Sequence, residues 1–143
     1  MALSPESASA CAAFRTLHPK LYDLALAIQQ HEGWFPKHGP KAESRSWRNN
    51  NPGNLRKSGL AIRVESGFAV FEDYYTGLLA LLLDLAYKCL DHSAHNLGPN
   101  STLEDLIRVW APPHENDTER YVQVACARTG MTDDTTLSEV YWS

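Results

Sequence analysis

The sequence predicts a mainly α-helical fold of the α+β kind, a helical bundle around one central apolar helix with a small β-hairpin insertion. Three stretches carry that expectation. From Pro19 to Gly33, Leu21, Leu24, Ala25 and Ile28 recur at the three- and four-residue spacing of one helical face. From about Thr76 to His92 the chain is apolar almost all the way round, as in a helix surrounded by others. Between Leu60 and Phe71 the pattern changes to near-alternation, with Ile62 and Val64, then Phe68 and Val70, around a turn at Glu65-Ser66-Gly67.

The remaining elements follow in order. Ser4-Pro5 reads as a cap and first-turn proline opening a short helix to about Leu17. Pro19 opens the second helix in the same way, and Gly33 is where it should stop. Phe35 to Asn54 is crowded with Gly, Pro, Asn, Ser and charge and reads as loop. The apolar helix from Thr76 gives way to a linker from His92 to Asn100. Ser101 with Glu104 reads as a capping box for a helix whose buried face is Leu103, Leu106, Ile107 and Trp110. Ala111-Pro112-Pro113 ends it. Asn116 and Glu119 frame the start of another helix running to Gly130, and Thr136 with Glu139 opens a last short one.

Composition narrows the functional classes. A chain of 143 residues with 43% hydrophobic content is expected to form one domain, residues 1–143, with a real core. A net charge of −4 argues against nucleic acid as partner, since that role normally shows a basic footprint. The longest apolar block, Leu78 to Leu83, is too short to insert in a membrane. The N-terminus has neither a basic start nor an apolar run, so no secretory signal is expected and synthesis is assigned to the cytoplasm. Cys11, Cys89 and Cys126 are odd in number and widely spaced, which reads as thiols, with Cys89 and Cys126 buried in helices. The six histidines lack zinc spacing, and neither a metal nor a cofactor is expected.

The chemistry concentrates around Glu32. Four residues beyond Ile28, it falls on the core-facing row in the last helical turn, just before Gly33, Trp34 and Phe35. Desolvation disfavours its charged form, and the partial negative charge at a helix C-terminus repels it. Both effects raise its pKa, which a general acid near neutral pH requires. Downstream, Asn49-Asn50-Asn51-Pro52-Gly53-Asn54 combines turn formers with amides that donate and accept, beside Arg56. Pro52-Gly53 fixes a tight turn, and the glycine permits close approach of backbone to a ligand. Sugars are read by such amides together with aromatic faces, for which Trp34, Phe35, Trp47 and Tyr121 are candidates. His31 reads as a surface residue on the opposite face. The basic stretch Lys41, Arg45, Arg48, Arg56, Lys57 and Arg63 reads first as a solvated loop, with carboxylates of peptidoglycan stem peptides or phosphates as its other partners.

The order of these residues resembles the lysozyme-like superfamily. The succession is Glu32-Gly33-Trp34; Asn50-Asn51-Pro52-Gly53-Asn54-Leu55-Arg56; Phe68-Ala69-Val70-Phe71 before the leucine-rich helix; and Trp110-Ala111-Pro112 with Asn116-Asp117 and Tyr121. It is similar to the lytic transglycosylase and glucosaminidase branches of phage and bacterial peptidoglycan-cleaving enzymes, over roughly Leu24 to Met131. The resemblance implies a muramidase or lytic transglycosylase cutting β-1,4 bonds between N-acetylated amino sugars. It maps Glu32 to the general acid and base, Tyr121 to a tyrosine near that acid, and the Asn51–Arg56 loop to a groove wall. Trp34, Asn50, Asn51, Asn54, Arg56 and Trp110 are then the substrate-binding candidates. No second carboxylate is obvious. Glu43, Glu65, Glu72 and Asp73 are available, of which Glu65 at the hairpin tip is the catalytic candidate, against its reading as a solvated turn residue. Without a second acid, the substrate's acetamido group assists and the sugar's 6-hydroxyl attacks, giving an anhydro product. Hydrolysis and transglycosylation therefore both stay open.

The expected partner is the peptidoglycan glycan strand in the periplasm or cell wall. Delivery is expected from a phage, by a holin or within the particle, or from a secretion machine with an immunity protein as counterpart. The reading from another class is a non-catalytic virion or glycan-binding component of the same fold. Chitin is a weaker alternative substrate.

Overall fold

The computed structural model describes residues 5–33, 44–90 and 96–143. Among them are seven helices: α1 (Pro5–Leu17), α2 (Pro19–His31), α3 (Arg45–Arg48), α4 (Tyr74–Leu90), α5 (Leu103–Trp110), α6 (Thr118–Thr129) and α7 (Leu137–Trp142). A two-stranded antiparallel sheet joins β1 (Arg63–Glu65) to β2 (Phe68–Val70), with Arg63 opposite Val70 and Glu65 opposite Phe68. The fold is thus mainly α with one small hairpin.

The core sits where α4 packs against α1, α2 and α7, while α6 closes over α2 and α5. Leu21, Leu24, Ala25 and Ile28 of the α2 stripe are all buried there, facing Leu78, Leu81, Leu82 and Leu85. Burial of each such side chain stabilises the fold by roughly 1.5–3 kcal/mol. The central helix is not covered all round, however. Leu83, Tyr87 and Leu90 lie on an exposed row, because α4 has neighbours on only part of its circumference.

Local chemistry explains the element ends. The N–H of Thr76 donates to Asp73 Oδ1 at 2.9 Å, so the first turn of α4 begins before Thr76. The α5 capping box is Thr102 with Asp105, one residue later than Ser101 and Glu104. Ser101 Oγ instead accepts from Gly98 N–H at 3.1 Å and shapes the preceding turn. Asp117 rather than Asn116 caps α6, while Thr136 and Glu139 do form a capping box on α7. Gly130 ends α6 in the left-handed conformation at φ 75.

Two further expectations are corrected. The segment read as loop up to Asn54 contains the helical turn α3, capped by Ser44. In the hairpin, every β1 residue is exposed, as is Ile62, whereas Ala69, Val70 and Phe71 are buried. Period-two patterning marked the strands, but only β2 has a surface to pack on. Ser66 and Gly67 both have positive φ (51 and 82), as a two-residue hairpin turn of the right twist requires.

Candidate active site

Glu32 is the C-cap of α2, and its N–H donates to Ile28 O at 2.8 Å, continuing the helix by one bond. The chain around it is tied to α3: Ser46 Oγ donates to Glu32 O at 3.3 Å and Ser44 Oγ to Gly33 O at 2.9 Å. Gly33 leaves the helix at φ 93, a conformation costly for any other residue. The carboxyl group is held from two sides. Tyr121 Oη, from α6, donates to Oε2 at 3.1 Å, and Asn54 Nδ2 donates to Oε1 at 3.5 Å.

Burial is the dominant influence on this group and raises its pKa above the usual carboxylate range. Tyr121, Asn54 and the Trp110 indole lower it by favouring the charged form, but only in part. Among the described residues no cation forms an ion pair with Glu32, so none of them offsets the cost of its negative charge in that way. Tyr121 is 1% exposed, and burial pushes its phenol far up, so it stays an O–H donor at all working pH values. His31 stacks on it at 3.6 Å between ring centroids. The histidine is therefore not on the opposite face; it braces the tyrosine that holds the acid.

Glu32 opens onto a groove of about 620 Å³. One wall is the loop carrying Asn54, Arg56 and Lys57, with Phe68 of β2; the other includes Val109, Trp110 and Asn116. Both Arg45 and Arg56 place their guanidinium groups over the Phe68 ring, at 4.0 and 4.7 Å, which orients Arg56 along the wall. Asp84 and Lys88 of α4 also line the groove, paired at 2.8 Å.

The asparagine loop divides its labour. Asn51 is fully buried and faces no ligand: Nδ2 donates to Leu55 O at 2.8 Å and Ala69 O at 2.9 Å, and Oδ1 accepts from Leu55 N–H at 2.9 Å. Asn50 Nδ2 donates to Phe71 O at 3.2 Å and Glu72 O at 3.5 Å. Asn51 is scaffold, which corrects its assignment as a substrate contact, while Asn50 is half-buried and does not line the groove. Amide side chains are used because they can bond two backbone segments at once. Asn50 and Asn54 also sit at positive φ (51 and 52), which asparagine tolerates better than most residues. Gly53 permits close approach of the turn to Leu81 of α4, whose Cδ1 lies 2.7 Å from where a Cβ would be, so its smallness serves packing.

Of the other candidates, Asn54, Arg56 and Trp110 line the groove with Glu32, and Tyr121 lies behind it. Glu65 does not line it: it is half exposed on the hairpin and paired with Arg63. Glu72 has a buried Oε1 without a hydrogen-bond partner but is also off the groove. Asp73 is the α4 cap, and Trp47 on α3 is not in the lining. Trp34, Phe35, Lys41 and Glu43 lie outside the described residues. Phe68 and Asn116 carried the resemblance but were not assigned to the site, and Asp84, Lys88 and Glu115 were missed. For Asp84 and Lys88 the signal was present, as two charges one turn apart in an otherwise apolar helix. The described residues include no group of three or more His, Cys, Asp or Glu able to hold a metal ion, and no helix long and apolar enough to cross a membrane. Comparison of the chain with family models, curated proteins and solved structures finds no match in any of the three.

Proposed function

We propose that this chain is a lysozyme-like enzyme that cleaves β-1,4 glycosidic bonds between N-acetylated amino sugars of bacterial peptidoglycan. The observation that carries the reading is Glu32: a half-buried carboxyl group without a cation partner among the described residues, held by Tyr121 and Asn54 at the side of a groove. Such a group keeps its proton to higher pH than an exposed acid and can give it to a leaving oxygen.

In the proposed reaction, the Glu32 proton passes to the glycosidic oxygen as the C1–O bond breaks. The oxocarbenium-like centre is then met by water or by the sugar's own 6-hydroxyl, and Glu32, now a carboxylate, accepts the proton that this nucleophile loses. Tyr121 is a positioning residue, too deeply buried to touch sugar. Trp110 offers an apolar face, and Asn54, Arg56 and Asn116 offer polar contacts along the lining, with Arg56 stacked on Phe68. Asp84 and Glu115 are the groove carboxylates available to stabilise positive charge, although pairing with Lys88 weakens the field of the first, and the second lies 3.1 Å from His114. Hydrolysis and anhydro-forming transglycosylation remain the two versions of this function, acting on the wall after phage release or secretion-machine delivery.

Clearing of purified cell walls by wild type but not by Glu32→Gln is the expected result. Mass spectrometry of the fragments distinguishes water from the internal hydroxyl as nucleophile, since the anhydro product lacks one water. Equal binding with no clearing by either protein would refute catalysis and favour a non-catalytic glycan-binding role.

A further inference from the structure

A second recess of about 480 Å³ adjoins the groove, and Leu55, Lys57 and Asp84 line both. The two spaces therefore meet along one ridge, beside the stretch that holds Glu32. Beyond the ridge the chemistry changes. The groove presents amides, charge and aromatic rings, whereas the recess is walled by Leu60, Ala80 and Leu83. Leu60 and Leu83 are 40% and 46% exposed, an unusual investment of apolar surface beside a polar cleft. At the ridge the charges differ in availability. Asp84 is paired with Lys88, while among the described residues Lys57 makes no ion pair.

A sugar chain does not explain this wall, because its hydroxyls gain little from leucine. A branch that leaves the glycan and carries methyl groups and free carboxylates fits both features: the methyls meet Leu60, Ala80 and Leu83, and a carboxylate meets Lys57. We propose that the recess binds the peptide branch of peptidoglycan, so that the enzyme prefers peptide-bearing over naked glycan. This rests on the glycan-cleaving reading above. It names a specificity site on α4 and the loop before the hairpin, with Leu83 and Leu60 as its recognition surface.

The test compares the full-length wild type with Leu83→Glu and Leu83→Gln, on intact peptidoglycan and on the same glycan stripped of peptide by an amidase. Leu83 is half exposed, so both variants should fold, as coincident thermal melts would verify. A glutamate there opposes an incoming carboxylate, and kcat/KM on intact material is expected to fall roughly tenfold. Leu83→Gln should fall less. The amidase leaves a free carboxylate on each lactyl ether of the stripped glycan, so that group is first capped as its methylamide, and on the capped glycan neither variant should differ from wild type. If Leu83→Glu matches wild type on intact material, or loses activity equally on both, the peptide subsite is overturned while glycan cleavage stands. Release from neither polymer by wild type would overturn both readings together.

Discussion

Gly77 lies on the face of α4 that meets the asparagine loop, and replacing it with alanine tests how that loop is held. A Cβ at this position would stand 1.9 Å from the Asn50 carbonyl oxygen and 2.9 Å from Pro52 Cδ. Ordinary carbon–oxygen contact is about 3.3 Å, so the loop would have to recede by roughly 1.4 Å. It cannot do so freely, because Asn51 ties it to Leu55 and Ala69, and Asn49 O accepts from Phe71 N–H at 2.8 Å. Overpacking against a fixed backbone costs about 3 kcal/mol, at the upper end of its usual range. Alanine in place of glycine returns about 1 kcal/mol of helix propensity. The net expectation is a loss of about 2 kcal/mol, or a fall of roughly 8 °C in Tm for a chain of this size. Circular dichroism melts measure it. Gly53→Ala is the comparison, since its Cβ meets Leu81 side-chain atoms (Cδ1 at 2.7 Å, Cγ at 3.3 Å and Cβ at 3.4 Å) rather than backbone and should cost less. A Gly77→Ala protein as stable as wild type, or one more stable than Gly53→Ala, would refute this account. Cleavage should also fall in Gly77→Ala, because the displaced loop takes Asn54 away from Glu32.

The other expectations concern the acid and its supports. Glu32→Gln should lower the rate by about 10²-fold or more, and it should alter the pH dependence of stability. Because the folded state holds the Glu32 proton after the unfolded chain has released its own, wild-type stability declines as pH rises from the unfolded value through the raised folded one. The Tm of Glu32→Gln relative to wild type should therefore be higher at about pH 8 than at about pH 4, and a constant difference would argue against a buried neutral acid. Tyr121→Phe removes the donor that favours the carboxylate, so the basic limb of the pH–rate profile should move to higher pH; a limb that moves down or stays put contradicts the 3.1 Å hydrogen bond as described. Asn51→Ala deletes three hydrogen bonds of a fully buried side chain and should cost about 3 kcal/mol in urea unfolding, whereas a loss under about 1 kcal/mol would mean the side chain is not the loop's anchor. Ellman's reagent should modify half-buried Cys126 before Cys11 and Cys89, whose thiols burial pushes up to about 11 and about 12; simultaneous reaction would contradict that ranking.

The sequence by itself determined the helices other than the short turn α3, and the position of the half-buried acid. Leu21, Leu24, Ala25 and Ile28 announce a buried face through spacing alone, and extending that spacing leads to Glu32 before a helix-ending glycine. Such information is local: it depends on helical period and on which residues leave water. The roles of the asparagines were not legible in the same way. Asn50, Asn51 and Asn54 look alike along the chain, yet Asn51 is buried scaffold and Asn54 bonds the acid. Only the meeting of the loop with β2 and α4 distinguishes them, because a hydrogen bond depends on which partners the fold brings within 3 Å or so. Tertiary structure likewise moved Glu65 off the groove and brought Asp84 and Lys88 into it, from a helix whose composition read as pure core. Periodicity records whether a side chain avoids solvent; which groups then face one another across a cleft is set by how separate helices dock.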